Sequence, residues 1–549
     1  MTVALTEPAE TKTPRAVELS GEVVAWVVAS ALFVGLRLGT VWHSAVGGAE
    51  LDSLSGAWQA RIGQADDRYV PTLFQGLASV LLRLDDSEVW PRLVALLSVS
   101  SLPIALYILR SRLGRAGALL ALLLVAIDAP LISLGTSASA MGFDVAITTW
   151  VFVMMTRPGL PRWLFGVAGF AVATAGPIAL PLLAANAGVR AVRREYPEPR
   201  SAIIGGIGAA LGIVVATFRF GLGANDGLRI PPFDAFAASM SDAWSSPNTF
   251  QVALLYSAPV VVGGIAAVAV AARRLAAQRE AASDGLTLLV WAGVALLWFL
   301  AAATSHSPVP VVALTLPLSL VLGPALVEAV GAMVRADWEQ ARILIPAAAL
   351  AALVAVSFAE DGAHNAKLGD SQVEILVAGL CLGAISALGV VASRREARPT
   401  LFAAGFAVAA FPALSGALGI GFGAGNEPIP SPYSTTQARQ LRETALETVA
   451  SQGGSIVVHP ELEKDVTWPF RDSGKLVIAS RVPSDGTFVL WPASAPAPEG
   501  LVPLAGTWEL VRSPDAPVSD FLDYLRWFTS RGTLENSSTT IAVYVRAKQ

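Results

Sequence analysis

The stretch from Arg162 to Arg190, RWLFGVAGFAVATAGPIALPLLAANAGVR, decides how this chain passes back and forth through a membrane. Two arginines bracket one apolar run, which is long enough to cross a bilayer once. Arginine-rich loops belong on the cytoplasmic side, so both ends of the run are expected on the same side. Gly176 and Pro177 interrupt a helix in the middle of the run. The sequence therefore predicts a hairpin of two short helices that returns to the cytoplasm.

The composition of the whole chain agrees with a membrane location. Its 549 residues are 54% hydrophobic and 15% charged, with a mean hydropathy of +0.58, which is too apolar for a soluble globular protein. The single cysteine, Cys381, excludes an intrachain disulfide and a cysteine metal cluster. The net charge of -4 is small, and nothing in it suggests nucleic-acid binding.

Further apolar runs extend the pattern on both sides of the hairpin. They cover residues 23–42, 93–109, 116–134, 143–155, 202–218, 252–271, 286–303, 309–327, 343–358, 373–391 and 401–420. Arginine clusters mark alternate loops, which the positive-inside rule places in the cytoplasm. We predict a mainly α polytopic plasma-membrane protein with about thirteen transmembrane helices. Residues 1–21 form a cytoplasmic N-terminus, residues 22–425 form the membrane domain, and the C-terminus lies outside.

Two segments of the predicted outer face are long. The loop 43–91 carries two amphipathic stretches that are typical of interfacial helices, AELDSLSGAWQARIG and VPTLFQGLASVLLRL. The tail 426–549 opens with a Pro-rich linker and a polar helix, TTQARQLRETALETVASQ. Short β-like runs follow: SIVVHP, KLVIAS, GTFVLW, TWELVR and TIAVYVRA. The tail is predicted to be a small extracytoplasmic α/β domain.

Carboxylates near the outer ends of the membrane helices are the first candidates for chemistry. Walker A loops, nucleotide fingerprints, zinc motifs and hydrolase elbows are absent from the sequence. Asp52 and Asp144 would hold a divalent cation, Mg²⁺ or Mn²⁺, or would bind and deprotonate an acceptor nucleophile. The alternative is that each is a helix N-cap. Glu50 is interpreted as a solvated companion that contacts substrate.

Arginines at the same face are the second set of candidates. Arg37 lies in the outer part of the first helix and Arg92 at the start of the second, while Arg219 and Arg229 flank an outer loop. A guanidinium placed there would pair with a phosphate or carboxylate of the substrate. The alternative for Arg37 is that its side chain snorkels to the interface.

These residues resemble a known pattern. The run FVGLRLGTVWHSAVGGAELDSLSGAWQARIG, followed by VPTLFQGLASVLLRLDDSEVWPRLVALLSV, resembles the N-terminal half of the GT-C glycosyltransferases, which include the protein O-mannosyltransferases and the aminoarabinose transferase of lipid A. The resemblance assigns Arg37, Asp52 and Arg92 to motif positions and, through GTSASAMGFDVAITTW, makes Asp144 the second outer acid. The tail is similar to that of a prokaryotic flippase-associated group of predicted membrane glycosyltransferases.

The resemblance implies an inverting glycosyltransferase that takes a sugar from a polyprenyl-phosphate carrier at the outer face. The acceptor would be a lipid, a glycan or a protein, and Asp52 and Asp144 would be the catalytic residues. A second hypothesis is a non-catalytic flippase of lipid-linked sugars, or its partner. Ser53 stands where relatives often carry a second acid, and the hairpin lacks a lysine found in relatives, which favours this second hypothesis. A third is a membrane scaffold that displays its outer domain.

Overall fold

The protein is a polytopic membrane protein that is mainly helical and carries one small sheet near its C-terminus, as the sequence predicts. The computed structural model describes residues 21–43, 49–61, 72–84, 87–157, 159–195, 198–218, 229–240, 248–277, 283–336, 417, 420, 433–434, 436–466, 468–470, 476–514 and 536–546.

The membrane part is built from helices joined by short connections. They are α1 (Gly21–His43), α2 (Ala49–Arg61), α3 (Leu73–Leu84), α4 (Val89–Val99), α5 (Leu102–Leu113), α6 (Arg115–Ala126), α7 (Ala129–Thr136), α8 (Ala140–Thr156), α9 (Trp163–Thr174), α10 (Ala179–Arg193), α11 (Pro199–Thr217), α12 (Pro231–Ser239), α13 (Thr249–Val252), α14 (Ala258–Ala277), α15 (Ser283–Ala301) and α16 (Val309–Ala336). A π-helical turn, Ala253–Ser257, joins α13 to α14. The two predicted interfacial helices of the first loop are α2 and α3.

Within the described residues, five helices are long and apolar enough to cross a membrane, or six if α6 and α7 form one bent span. The predicted total of about thirteen is not confirmed. The predicted spans 343–358, 373–391 and 401–420 lie outside the described residues, apart from Ala417 and Ile420. The structure therefore establishes a multi-pass protein without a helix count for the whole chain.

The third predicted run is broken rather than straight. Helix α6 ends at Ala126, α7 begins at Ala129, and the two are bent by 69°. Pro130 has no N–H to donate to the carbonyl of Ala126, so the helix cannot continue there. The Asp128 carboxylate caps the new helix by accepting a hydrogen bond from the Leu131 N–H at 3.3 Å.

The hairpin predicted between Arg162 and Arg190 is confirmed. Helix α9 ends at Thr174 and α10 begins at Ala179, on either side of Gly176 and Pro177. Arg162 before α9 and Arg190 in the last turn of α10 line the same cavity, so the chain returns to the end of the bundle from which it came. We call this end, with Arg112, Arg157, Arg162, Arg190 and Arg193, the arginine end. Helix α9 has 12 residues, which at ~1.5 Å per residue span about 18 Å, less than a bilayer core of ~30 Å.

Glycines allow α9 to pack closely against α11. A Cβ atom on Gly169 would lie 2.1 Å from the carbonyl oxygen of Gly205, and one on Gly208 would lie 2.0 Å from that of Gly166. Such contacts admit only glycine, and they are typical of membrane helices that approach through small residues. The first arm of the hairpin is therefore fixed to α11 by backbone contact.

The tail forms the predicted α/β domain. Its elements are β1 (Tyr433–Ser434), α17 (Thr436–Gln452), β2 (Ser455–Val458), α18 (Glu463–Val466), β3 (Leu476–Ile478), β4 (Gly486–Pro492), β5 (Val502–Pro514) and β6 (Asn536–Val545). The strand order is β1-β5-β6-β4-β2-β3; β2 runs parallel to β3 and β4, and the other pairs are antiparallel. Apolar residues of α17, including Leu441 and Ala445, pack on Phe488, Leu490 and Ile541 of the sheet.

One tryptophan of the tail domain is buried against the first loop. Trp468, which follows α18, is 2% exposed. It belongs to a cluster with Leu54 of α2, Phe74 and Leu82 of α3 and Ala138 before α8. The tail domain and the two loop helices therefore share a hydrophobic contact.

Candidate active site

A buried ion pair holds the first loop helix in place. Glu50 in α2 and Arg92 in α4 are 3% and 2% exposed. Arg92 donates from Nε to Glu50 Oε1 at 2.6 Å and from Nη2 to Oε2 at 3.0 Å, so the pair is bidentate. Arg92 also donates to the Val41 carbonyl at 3.2 Å, and Glu50 accepts from the Ala138 N–H at 2.8 Å. The ion pair thus joins α2 to α4 and connects both helices to the end of α1 and to the turn before α8.

The interpretation of Glu50 as a solvated residue is wrong. A buried carboxylate is tolerated when it has a cation and hydrogen-bond donors, and Glu50 has both. Its contacts, and those of Arg92, are made with other parts of the protein. Contact of either side chain with a substrate stays a prediction.

Asp52 lies two residues beyond Glu50, inside α2. Its side chain lies outside the described residues. Because the backbone of α2 is helical from Ala49, Asp52 is not the N-cap of this helix. The buried ion pair fixes the helix that carries Asp52 next to the turn before α8.

Asp144 is the second predicted acid, and its carboxylate is 1% exposed. Ser139 is the N-cap of α8, so the N-cap alternative for Asp144 is wrong. The carboxylate accepts a hydrogen bond at Oδ1 from the Gly176 N–H at 2.7 Å, and Oδ2 has no hydrogen-bond partner among the described residues. A buried carboxylate oxygen without a donor is costly, so Asp144 is a strong candidate for binding a substrate or an ion.

The tip of the hairpin is built against this carboxylate. Asp144 lies twelve residues before Thr156 at the end of α8, which corresponds to about 18 Å at ~1.5 Å per residue. The first hairpin arm has the same length, so its tip reaches the depth of Asp144. A Cβ atom on Gly176 would lie 1.9 Å from Asp144 Oδ2, and only glycine fits there. We call Asp144, Gly176 and the turn Ser137–Ser139 the acidic end of the site.

Arg37 is fully buried, at 0% exposure, so the snorkelling alternative is wrong. Its guanidinium donates to the carbonyls of Phe33 at 2.8 Å, Val125 at 3.2 Å and Ala126 at 3.4 Å. The last two carbonyls belong to the final turn of α6, which the bend deprives of helical partners. Arg37 therefore stabilises the break between α6 and α7. Its predicted contact with a donor phosphate stays a prediction.

The remaining candidates flank a loop that is only partly described. Arg219 lies outside the described residues. Arg229 is half-buried, and its backbone N–H donates to Thr217 Oγ1 at 3.3 Å, which places it beside the end of α11. Their roles as substrate contacts stay predictions.

The described residues contain no group of three or more His, Cys, Asp or Glu side chains arranged to hold a metal ion. The Oδ2 atom of Asp144 is a hard oxygen of the kind that Mg²⁺ or Mn²⁺ accepts. The second predicted ligand, Asp52, has its side chain outside the described residues. The cation stays a prediction, and no step proposed below uses it.

Gly176 and Asp128 also contribute to this region, although neither is a predicted site residue. The sequence marks Gly176 only as a helix interruption, because its contact with Asp144 joins residues 32 positions apart. Asp128 precedes Ala129 and Pro130, and an acid before a proline in a first helical turn is a recognisable start signal. That signal could have located the bend.

Comparison with known proteins shows the fold. No family model and no curated protein matches the sequence. Among solved structures, the chain is similar to ArnT from Cupriavidus metallidurans bound to undecaprenyl phosphate, with 14% identity, a TM-score of 0.54 and coverage of 96% of this chain and 99% of that chain. The apo state of the same ArnT gives 12% identity, a TM-score of 0.53 and the same coverage. The chain thus has the polytopic membrane fold of ArnT, as the resemblance predicts.

Proposed function

We propose that this chain is a membrane glycosyltransferase that transfers a sugar from a polyprenyl-phosphate carrier to a lipid, glycan or protein acceptor. The observation that carries the proposal is the buried Asp144 carboxylate, held by the hairpin tip at one oxygen and unpaired at the other among the described residues. It occurs in the fold of ArnT, whose crystal structure was obtained with undecaprenyl phosphate bound.

The reaction is a displacement at the sugar carbon that is bonded to the carrier phosphate. The acceptor oxygen forms a bond to this carbon from one side, and the bond to the phosphate oxygen breaks on the other, so the sugar configuration inverts. The Asp52 carboxylate takes the proton of the acceptor hydroxyl, and polyprenyl phosphate leaves with the electron pair. Asp144 accepts a hydrogen bond from a sugar or acceptor hydroxyl and so orients it.

The leaving phosphate needs a positive partner. Arg37 and Arg92 are enclosed by protein groups, so we assign them to positioning. Arg229, beside the end of α11, and Arg219, which follows α11 in the sequence, are the arginines that we assign to the phosphate, because a guanidinium fork matches phosphate geometry. The distribution of arginines in the sequence supports a cytoplasmic N-terminus and, with it, a reaction at the outer side of the plasma membrane.

The test is release of polyprenyl phosphate by purified protein that is given a panel of polyprenyl-phosphate sugars and acceptors. We expect Asp52→Asn to lower the rate at least a hundredfold, because a positioned general base contributes about 10²- to 10⁴-fold. Glu443→Gln is the matched control, since Glu443 is exposed on α17. Full activity of Asp52→Asn would contradict the assignment of the base.

The same assay separates this proposal from transport. It is carried out in detergent, where movement across a bilayer is not scored, so a flippase or a scaffold would release no carrier phosphate. The predicted cation is tested there as well, by adding a chelator and then restoring Mg²⁺ or Mn²⁺. Activity that is independent of the chelator would remove the cation from the proposal.

A further inference from the structure

Helix α7 connects a buried carboxylate of the bundle to the acidic end of the site. The helix has eight residues, which span about 12 Å at ~1.5 Å per residue. It begins directly after Asp128 and ends at the turn Ser137–Ser139. A helix of about two turns is stiff, so a displacement of its first turn also displaces the turn that follows it.

The start of α7 is held by three other elements through Asp128, which is 4% exposed. The carboxylate accepts a hydrogen bond from the Leu131 N–H in the first turn of α7. The hydroxyls of Thr315 in α16 and Ser257 in the π-helical turn lie beside it, and the opposite charge of the Arg37 guanidinium in α1 attracts it. Asp128 therefore ties the first turn of α7 to α1, α16 and the π-helical turn.

The turn after α7 holds the helix that carries the predicted base. Ser139 Oγ donates to the Leu134 carbonyl at 3.1 Å, which joins the turn to the last turn of α7. Within the turn, the Ala138 N–H donates to Glu50 Oε1 at 2.8 Å. Because Glu50 and Asp52 lie in the same helix, the position of α7 contributes to the position of Asp52.

Glycines let α7 lie directly against the part of α8 that carries the second acid. A Cβ atom on Gly142 would lie 2.8 Å from the Gly135 Cα atom and 3.0 Å from the Leu134 carbonyl oxygen, so only glycine fits there. Gly142 is two residues before Asp144. The position of α7 therefore also contributes to the position of Asp144.

We propose that Asp128 is a positioning residue of the transferase, which fixes Asp52 and Asp144 in place through α7. The inference rests on the proposed function, because these two acids are the ones that we assign to the reaction. It adds a residue that acts on both of them from the far end of a short helix.

The oxygen that accepts the Leu131 N–H carries this role, and the negative charge of Asp128 does not. The Arg37 guanidinium donates to three backbone carbonyls, so it has partners whether or not residue 128 is charged. Asparagine supplies an N-cap oxygen as well as aspartate does, whereas alanine supplies none. The amide group of asparagine can also donate to the neighbouring hydroxyls, which accept as well as donate.

The first measurement is amide hydrogen exchange of the full-length protein in detergent, which needs no activity. We expect Asp128→Ala to raise exchange about fivefold in the turn Ser137–Ser139 and in α2, because loss of an N-cap costs that factor in helix stability. Exchange in α11 and α15 should stay as in the wild type. Asp128→Asn should exchange like the wild type throughout.

The second measurement is steady-state transfer with a polyprenyl-phosphate sugar. We expect Asp128→Ala to lower kcat about tenfold to a hundredfold, because small displacements in an active site have effects of this size. KM for the carrier should change little, since the carrier phosphate is assigned to other residues. Asp128→Asn should restore kcat. Gly142→Ala, which keeps the cap but separates α7 from α8, should lower kcat as Asp128→Ala does.

Two variants are matched controls that should leave kcat unchanged. Asn248→Ala removes a side-chain cap of the same kind, 2.9 Å from the Gln251 N–H, from α13, which carries neither acid. Gly293→Ala adds a Cβ atom on α15 where no atom lies within 4 Å.

Three results would overturn the proposal: exchange in Asp128→Ala that rises equally in α15, an Asp128→Asn variant as impaired as Asp128→Ala, or an unchanged kcat in Asp128→Ala. If the wild type transfers no sugar, the proposed function fails on its own. The exchange measurement then decides whether Asp128 positions α2, with a local rise supporting this role and a uniform rise overturning it.

Discussion

At the scale of single residues, the contact between Asp144 and Gly176 is the tightest constraint on the candidate site. The amide of one glycine fixes one carboxylate oxygen, and the absence of a Cβ atom leaves room for the other. The carboxylate and the hairpin tip therefore have to move together. This coupling links the position of the hairpin tip to that of the predicted site residue Asp144.

Gly176→Ala is expected to lower the transfer rate by about tenfold to a hundredfold, because a displacement of ~1 Å in an active site costs up to about 10²-fold. The new Cβ atom would lie 1.9 Å from Asp144 Oδ2, so the carboxylate or the tip must shift. Gly188→Ala on α10 is the control, since nothing lies within 4 Å of a Cβ atom there. Equal rates in steady-state assays of the two variants would contradict this role of the contact.

The Glu50–Arg92 pair has a structural role that a thermodynamic cycle can measure. Breaking a buried pair by removing one partner usually costs ~3–5 kcal/mol, because the other charge is left buried and uncompensated. Glu50→Gln and Arg92→Met should each show a loss of this size in the free energy of unfolding, and the double variant should cost clearly less than their sum. Additive losses would show that the pair acts as two independent contacts.

Among the helices, the two arms of the hairpin pack against different neighbours. The first arm contacts α11 through glycine backbone, whereas the second arm packs mainly against α15 and α8. The cavity lies between these attachments. The hairpin is thus two separately anchored helices joined at the tip that contacts Asp144.

Gly208→Leu on α11 should separate the first arm from α11, since even a Cβ atom there would lie 2.0 Å from the Gly166 carbonyl oxygen. Overpacking of this kind costs about 1–3 kcal/mol, so we expect a lower melting temperature in detergent. Gly206→Leu is the matched control two residues away, where no atom lies within 4 Å. A melting temperature that is lowered equally in both variants would contradict the proposed α9–α11 contact.

Helices, strands and helix breaks could be predicted where the sequence pattern that specifies them is local. The break at Gly176–Pro177, the loop helices α2 and α3, and the strands β2 to β6 and first helix of the tail each follow from proline, periodicity or alternation within a few residues. Strand β1 was not predicted, because it lies at the end of the Pro-rich linker. The burial of Glu50 could not be predicted from the sequence, because it depends on Arg92 and on the Ala138 amide, which are 42 and 88 positions away. The role of Arg37 is not predictable for the same reason, since two of the carbonyls that it binds, those of Val125 and Ala126, lie in α6.

At the scale of the whole molecule, the tail domain contacts the helix that carries Asp52. Trp468 is 2% exposed within a cluster that includes Leu54 of α2 and Phe74 of α3. The ion pair of Glu50 fixes one face of α2 to α4, and the tryptophan covers Leu54 on the same helix. The position of the predicted base therefore depends on the tail domain as well as on the membrane helices.

Trp468→Ala is expected to loosen α2 and α3 without unfolding the membrane helices. Replacing a buried tryptophan by alanine costs ~3–5 kcal/mol of local packing, which should raise amide hydrogen exchange in α2 and α3 and lower the transfer rate. Trp491→Ala is the control, because Trp491 is buried within the sheet against Val457, Val489 and Tyr544. It should raise exchange in the tail alone. If Trp468→Ala left exchange in α2 unchanged, the tail domain would have no part in positioning Asp52.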